Sequence, residues 1–194
     1  MAWIKPVSLR GKHARLEPLS RTHDADLRAA VADGELWTLW YTNIPEPDGM
    51  PAEIERRLTL QAQGSMLPFT VFDAQGAIVG MTTYMNIDAV HRRVEIGSTW
   101  YRKSAQRTAL NTESKLLLLR HAFETLGCIA VEFRTHFFNA PSRRAIERLG
   151  AKLDGILRNH QRDRRGLMRD TCVYSITDAE WPTARQNLEW RLGR

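Results

Sequence analysis

The sequence predicts an α/β chain with a largely antiparallel sheet that carries a parallel splay near its middle. Three observations predict it. Strand-like and helix-like segments follow one another in the order β-α-α-β-β-β-α-β-α-β-β. The early strands arrive as hairpins, which pair antiparallel. At the centre a strand-like run, VEIGSTWY, leads through a tight polar turn into the helical stretch QRTALNTESKLLLLRHAFETL. With 194 residues, 43% of them hydrophobic, the chain is long enough for one sizeable core, and a single domain over 1–194 is expected.

His13–Ser20 alternates imperfectly and reads as a first strand. Thr22 or Asp24 can then cap a helix bearing Leu27, Ala30 and Val31. Trp37, Trp40 and Tyr41 fall in GELWTLWYTNIPEPDGM, where proline and glycine forbid a long regular element. These aromatics are placed on a loop, where they either line a binding surface or tuck into the core. A second helix is expected from Pro51 to about Gln63, with Ile54 and Leu58 along one side.

Phe69–Asp73 and Ala77–Met85 read as a hairpin around Ala74-Gln75-Gly76. The strand Arg93–Tyr101 follows, its alternation putting Val94, Ile96 and Ser98 on one face and Glu95, Gly97 and Thr99 on the other. In the long helix Leu116, Leu119, Phe123 and Leu126 form one apolar face, which Gly127 can end. Ala130–Phe137 is a strand. Asn139 opens a short helix with Pro141 in its first turn and Gly150 at its end. Two more strands, Lys152–Asn159 and Arg169–Ile176, flank the charged turn RDRRG, and Trp181-Pro182 starts a last helix that packs back through Leu188 and Leu192.

No apolar run has the length of a membrane span, and MAWIKPVSLRGKH lacks the continuous apolar core of a secretion signal. Cys128 and Cys172 are far apart without metal-ligand spacing, so buried reduced thiols and a cytoplasmic setting are expected, with no metal. The net charge of +6 is uneven: from Arg143 to Arg169 nine Lys or Arg face three acids. Such a zone suits a polyanion, either nucleic acid or a phosphorylated cofactor. Nucleic acid is the weaker candidate, since no aromatics for base stacking are interleaved with the arginines. The turn entering the long helix is a second anion candidate, because the first helical N–H groups have no intrahelical partner and lie at the positive end of the dipole. It has neither glycine nor a Walker-type lysine, and a plain strand-to-helix loop is the alternative.

The element order, together with EIGSTWY, the QRTALNTE loop, NAPSRRAIERLGAKLDGILR and RDTCVYSITDAEWP, resembles the GNAT superfamily of acyl-CoA-dependent N-acetyltransferases. Within it the chain resembles the ribosomal-protein N-terminal acetyltransferase branch. The resemblance implies a twisted, mostly antiparallel sheet with a central splay and helices on both faces. It implies acetyl-CoA as co-substrate and an amine acceptor, a peptide N-terminus or a small molecule, with no membrane partner and often a homodimer. The family's pyrophosphate loop falls on Gln106, Arg107, Thr108, Ala109, Leu110 and Asn111, with alanine and asparagine at the two glycine positions. Alanine retains a small side chain, so close backbone approach to the pyrophosphate survives if the local dihedrals are helical, and asparagine is bulkier but tolerates left-handed geometry. Arg102, Lys103 or Arg107 would add charge.

The resemblance further implies that Asn139 hydrogen-bonds the pantetheine arm, a role its side chain can share with helix capping. Ser142 matches a serine near the thioester sulfur. The tyrosine that many relatives use to protonate the departing thiolate is replaced by Ile146, which leaves Ser142 or water as the proton source. Glu95 matches a position where relatives often carry the carboxylate that takes the amine proton; an ordinary strand glutamate pairing with Arg134 is the alternative. His91 and His136 lie outside matched positions. A backbone N–H near Ser98 or Thr99 would meet the oxyanion, and Trp37, Trp40 and Tyr41 would wall the amine site. Two other functions remain open from the residues, a catalytically idle acyl-CoA-binding module and a basic nucleic-acid binder.

Overall fold

The computed structural model describes residues 3–163 and 165–193, so Arg164 of the basic zone lies outside the described residues. Eight strands form one sheet: β1 (Leu9–Arg10), β2 (Ala14–Pro18), β3 (Met66–Asp73), β4 (Ile78–Asp88), β5 (Arg93–Tyr101), β6 (Ala130–His136), β7 (Lys152–Arg162) and β8 (Met168–Thr177). Their spatial order is β1-β2-β3-β4-β5-β6-β8-β7. Every adjacent pair is antiparallel except β5 and β6, which run parallel and pair only from Arg93↔Ala130 to Glu95↔Glu132. Beyond Glu95 the two strands part, so peptide groups of the rest of β5 that turn toward β6 meet no strand there.

Helices α1 (Asp24–Ala32) and α2 (Met50–Ala62) cover one face, with a core of Leu27, Val31, Met50 and Ile54 against Phe72, Met81 and Trp100. The other face carries α3 (Ala109–Arg120), α4 (Ala140–Glu147) and α5 (Trp181–Arg191), whose core runs through Leu116, Leu118, Leu119, Ile146, Trp181 and Leu188. Burying apolar faces on both sides of one sheet is what a chain of this length needs for a continuous core.

Four sequence expectations change in detail. Ser20, rather than Thr22 or Asp24, caps the start: its hydroxyl accepts from Thr22 N above a 3-10 turn, Arg21–His23, that leads into α1. Strand β3 begins at Met66 and runs through Pro68; the β2 pairing ends at Phe69, so the missing proline N–H deprives no ladder. The long helix is not amphipathic. It lies between the sheet and α5, with Glu113, Ser114, Lys115, Leu117 and Leu118 buried as well as Leu116 and Leu119. Past Arg120 it widens into a π turn, His121–Thr125, and Gly127 then supplies the left-handed stop at φ +63°.

The fourth change concerns β5. The register with β4 jumps from Thr83↔Gly97 to Met81↔Trp100, so Thr82 stands opposite both Ser98 and Thr99. This bulge, with Ser98 at φ +48°, inverts the alternation. Thr99 therefore joins Val94 and Ile96 on the α3 side, while Trp100 packs with α1 and α2.

Candidate active site

The loop between β5 and α3 is held by the end of α1. Asp33 accepts from Arg102 Nε at 3.0 Å, from Ser104 N at 3.2 Å and from Ser104 Oγ at 2.6 Å, and the Ser104 and Arg102 bonds hold its carboxyl down to about 2. Gly34, at φ +105°, makes the approach possible, since a Cβ there would stand 2.6 Å from Lys103 Cβ. Arg102 is thus engaged by Asp33, while Arg107 is exposed.

The loop then turns at Arg107, φ +59°, and Thr108 caps α3 by accepting from Leu110 N at 3.3 Å. The left-handed residue is Arg107; Asn111 is helical, so its tolerance of left-handed geometry is not used. Ala109 is the first helical residue and keeps the backbone accessible. The Gln106 amide turns inward to Tyr101 O at 2.9 Å, and the Leu110 side chain enters the core. What this turn offers an anion is therefore its main chain and the helix dipole, with Arg107 beside them. A cleft of about 310 Å³ opens here, lined by Arg102, Ser104, Ala105, Thr108 and Ala109 together with His13 and Gln75.

On the far wall of the splay, Asn139 Oδ1 accepts from Ser142 N at 3.1 Å and caps α4, which leaves the amide NH2 available. Ser142 lies in the first turn of that helix, and Ile146 is buried in the core.

Glu95 faces the α1/α2 side together with Glu132, Arg134 and His136, the side chains opposite Val131, Phe133 and Thr135 along β6. It is 5% exposed, accepts from Asn86 Nδ2 at 2.7 Å and lies 3.6 Å from Arg134. Burial pushes its carboxyl above the ordinary value; Asn86 and Arg134 oppose this, and nearby Glu132 adds to it. Glu132 experiences the opposite balance: burial raises it, but Arg93 at 2.7 Å and Arg134 at 2.8 Å bring it below the ordinary value. Two adjacent carboxylates are thus driven apart, an arrangement that suits Glu95 to proton transfer. Gly97 leaves the space for it, since a Cβ there would sit 2.8 Å from Glu95 Oε1.

Further along β6 on the same face, four residues beyond Glu132, His136 lines a cleft of about 630 Å³ between the α1–α2 loop and the β6, β7 and β8 ends. Trp40 packs edge-on to His136 at 5.1 Å and reaches Phe138 at 5.9 Å, with Tyr41 6.4 Å from His136. Arg158, Asp163, Arg169 and Asp170 add charge to the lining, beside apolar side chains such as Ile156 and Met168. Trp37 lies apart from this group, packed against the α1/α2 core. His136 Nδ1 accepts from Phe138 N at 3.1 Å, and burial, then Arg169, lower its pKa, so its free nitrogen carries the proton in the neutral ring. The Nδ1 lone pair is thus already engaged by Phe138 N. His91 is exposed at a turn and hydrogen-bonds Asp88.

The basic zone is not one free stripe. Arg143 bonds Tyr174 and lies over Phe137, Arg158 pairs with Asp170, and Lys152 with Glu180. Among the described residues no group of three or more His, Cys, Asp or Glu could hold a metal ion, and no helix is long and apolar enough to cross a membrane. Both cysteines are buried and unpaired.

A mostly antiparallel sheet that splays after one short parallel pairing, with helices on both faces and a capped helix at the mouth of the splay, is the fold of the acyl-CoA N-acetyltransferase class. Residues 13–152 match the family described as Acetyltransferase (GNAT) domain, and the chain belongs to that family. A protein of Bacillus subtilis (strain 168) whose name gives it provisionally as a ribosomal N-acetyltransferase, YdaF, is 31% identical over 106 residues, 55% of this chain and 57% of that one. The match thus spans a little over half the length of that curated relative. The crystal structure of a GCN5-related N-acetyltransferase from Brucella melitensis is 33% identical, with a TM-score of 0.83 over 96% of this chain and 85% of that one. The Mycobacterium smegmatis RimJ structure, in complex with CoA-disulfide, shares the fold at 21% identity, with a TM-score of 0.79 over 96% of this chain and 93% of that one.

Four residues of this region carried no sequence signal for a site or only a faint one. Arg57 and Lys115, buried on opposite sides of the bulge, were hidden in helical apolar patterns; a lysine directly before the run Leu116–Leu119 was the one hint. Phe138 and Arg169 reach the cleft only through the β6–α4 turn and the β7–β8 hairpin.

Proposed function

We propose that the protein moves an acetyl group from acetyl-CoA to a primary amine by direct attack in a ternary complex, and that the acceptor is a peptide N-terminal α-amino group. The single observation that carries this reading is Glu95: a buried carboxylate with a raised pKa at the last paired position before β5 and β6 part. Main-chain amides from Arg107 to Asn111 hold the diphosphate at the start of α3, and the Asn139 amide meets the pantetheine arm in the splay. The acceptor enters through the Trp40–Tyr41–His136 cleft, whose volume suits the end of a peptide or a small amine. The resemblance to ribosomal N-acetyltransferases and the open side of this cleft favour the peptide.

An ammonium is inert, so Glu95 takes the proton, directly or through a water. The amine nitrogen then attacks the thioester carbonyl carbon while β5 amides at the bulge meet the developing oxyanion. The C–S bond breaks, and the thiolate leaves with a proton from Ser142 or water. A thiol is acidic enough to depart without a stronger acid, which makes the buried Ile146 tolerable. The two unpaired buried thiols suit a cytoplasmic setting. The test is thiol release from acetyl-CoA against a panel of peptides and small amines. Turnover with peptides above small amines supports the reading, turnover only with a small amine moves the acceptor, and binding of acetyl-CoA without turnover on any acceptor leaves a binding module.

A further inference from the structure

Ser98 has a left-handed backbone at φ +48°, a geometry that a residue with a Cβ keeps only when its surroundings over-determine it. Two buried basic side chains supply the hold from opposite faces. On the α2 side Arg57 donates to the Ser98 carbonyl at 3.2 Å and to Thr83 Oγ1 at 2.7 Å, and its charge is met by Glu53 at 2.6 Å. On the α3 side Lys115 Nζ donates to Thr99 Oγ1 at 2.7 Å and Thr82 Oγ1 at 3.0 Å, and those two hydroxyls lie 2.8 Å apart. Thr82 is the residue opposite the bulge, so Lys115 ties both strands of the irregular register together.

Lys115 differs from Arg57 in one respect. It is 6% exposed and, among the described residues, no carboxylate pairs with it. Burial brings its pKa down to about 7. A lysine in such a place costs the fold stability that a methionine of similar length would not, so packing does not account for it.

We propose that Lys115 is a positioning residue for acetyl transfer: through the Thr82 and Thr99 hydroxyls it fixes the Ser98–Thr99 bulge, so that main-chain amides at the opening of the β5–β6 splay face the thioester carbonyl. The role rests on the acetyl-transfer reading above. Lys115 touches neither substrate; it acts through β5, and its loss is felt in the chemical step.

The experiment measures thiol release by the full chain with its best acceptor, for wild type, Lys115→Met, Thr99→Val and Thr99→Ser, beside thermal melts. Lys115→Met is expected to lower kcat about 10- to 100-fold while the KM for acetyl-CoA changes less than about 2-fold and the melting temperature holds or rises. Thr99→Val is expected to lose kcat similarly, and Thr99→Ser, which keeps the hydroxyl, to recover most of that loss. An active wild type whose Lys115→Met variant keeps kcat within about 2-fold overturns the role while leaving acetyl transfer intact. Should Lys115→Met fail to fold, the threonine pair decides: an unchanged kcat in Thr99→Val overturns the role, and a loss reversed in Thr99→Ser supports it. A wild type that releases no thiol with any acceptor removes the acetyl-transfer reading and this role with it.

Discussion

Replacing Glu95 by glutamine isolates charge from shape. The side chain is buried, and an amide oxygen can still accept from Asn86 Nδ2, now at 2.7 Å, so Glu95→Gln keeps the packing and removes the negative charge, the proton acceptor and with it the ion pair at 3.6 Å to Arg134. A well-placed general base contributes about 100-fold or more, which is about 2.7 kcal/mol of barrier. We expect kcat for Glu95→Gln to fall by about that factor, with the KM for acetyl-CoA little changed.

The pH profile gives an independent signature. The base works only when ionised and its pKa is raised, so wild-type kcat for the bound complex should fall as pH drops through a value above the ordinary carboxylate one, and that acid limb should vanish in the variant. Stability carries the same sign. A carboxyl whose folded pKa lies above its unfolded pKa binds its proton more tightly in the native state, so native stability declines as pH rises from the ordinary value through the raised one. At neutral pH Glu95→Gln should therefore be at least as stable as wild type, and the difference should close below the ordinary carboxylate pKa. Thiol-release kinetics from pH 5 to 9 and thermal melts test both. A variant within about 3-fold of wild type that keeps the acid limb would refute Glu95 as the base.

Three further outcomes follow from the geometry. Glu113 accepts from the backbone N–H groups of Lys12, His13 and Ala14, tying β1–β2 to α3; at about 1 kcal/mol for each orphaned donor, Glu113→Ala should cost about 3 kcal/mol and lower the melting temperature by about 6–12 °C. Asn139→Ala removes the α4 cap, worth about 1 kcal/mol, and should also raise the KM for acetyl-CoA several-fold; a stability loss with unchanged KM would confine Asn139 to capping. Trp40→Ala should raise the acceptor KM by about 10-fold and leave the KM for acetyl-CoA unchanged, measured with the best acceptor of the panel.

The order of elements was legible because local signals agreed: hairpin turns, helix-period leucines and the Asn139 cap each specify short-range geometry. The Trp37–Tyr41 loop was legible as irregular, but not which aromatic faces the cleft. Trp40 and Tyr41 reach His136, whereas Trp37 packs on the α1/α2 core, because the β6 end on which His136 stands is nearly a hundred residues further along the chain. The residue type at Asn111 allows a left-handed turn, yet Thr108 caps the helix three residues earlier and Arg107 absorbs the turn.

The sequence by itself determined the main succession of strands and helices, the Asn139 cap and the presence of Glu95 on a strand before the long helix, since each depends on neighbours within a few positions. Only the tertiary structure decided that the helix is buried all round, that a bulge at Ser98 inverts the faces of β5, and that Arg57 and Lys115 grip that bulge from either side. The physical reason is desolvation. Whether a charged side chain is a solvated surface group or a buried tie depends on what the rest of the chain packs over it, and no local pattern carries that information.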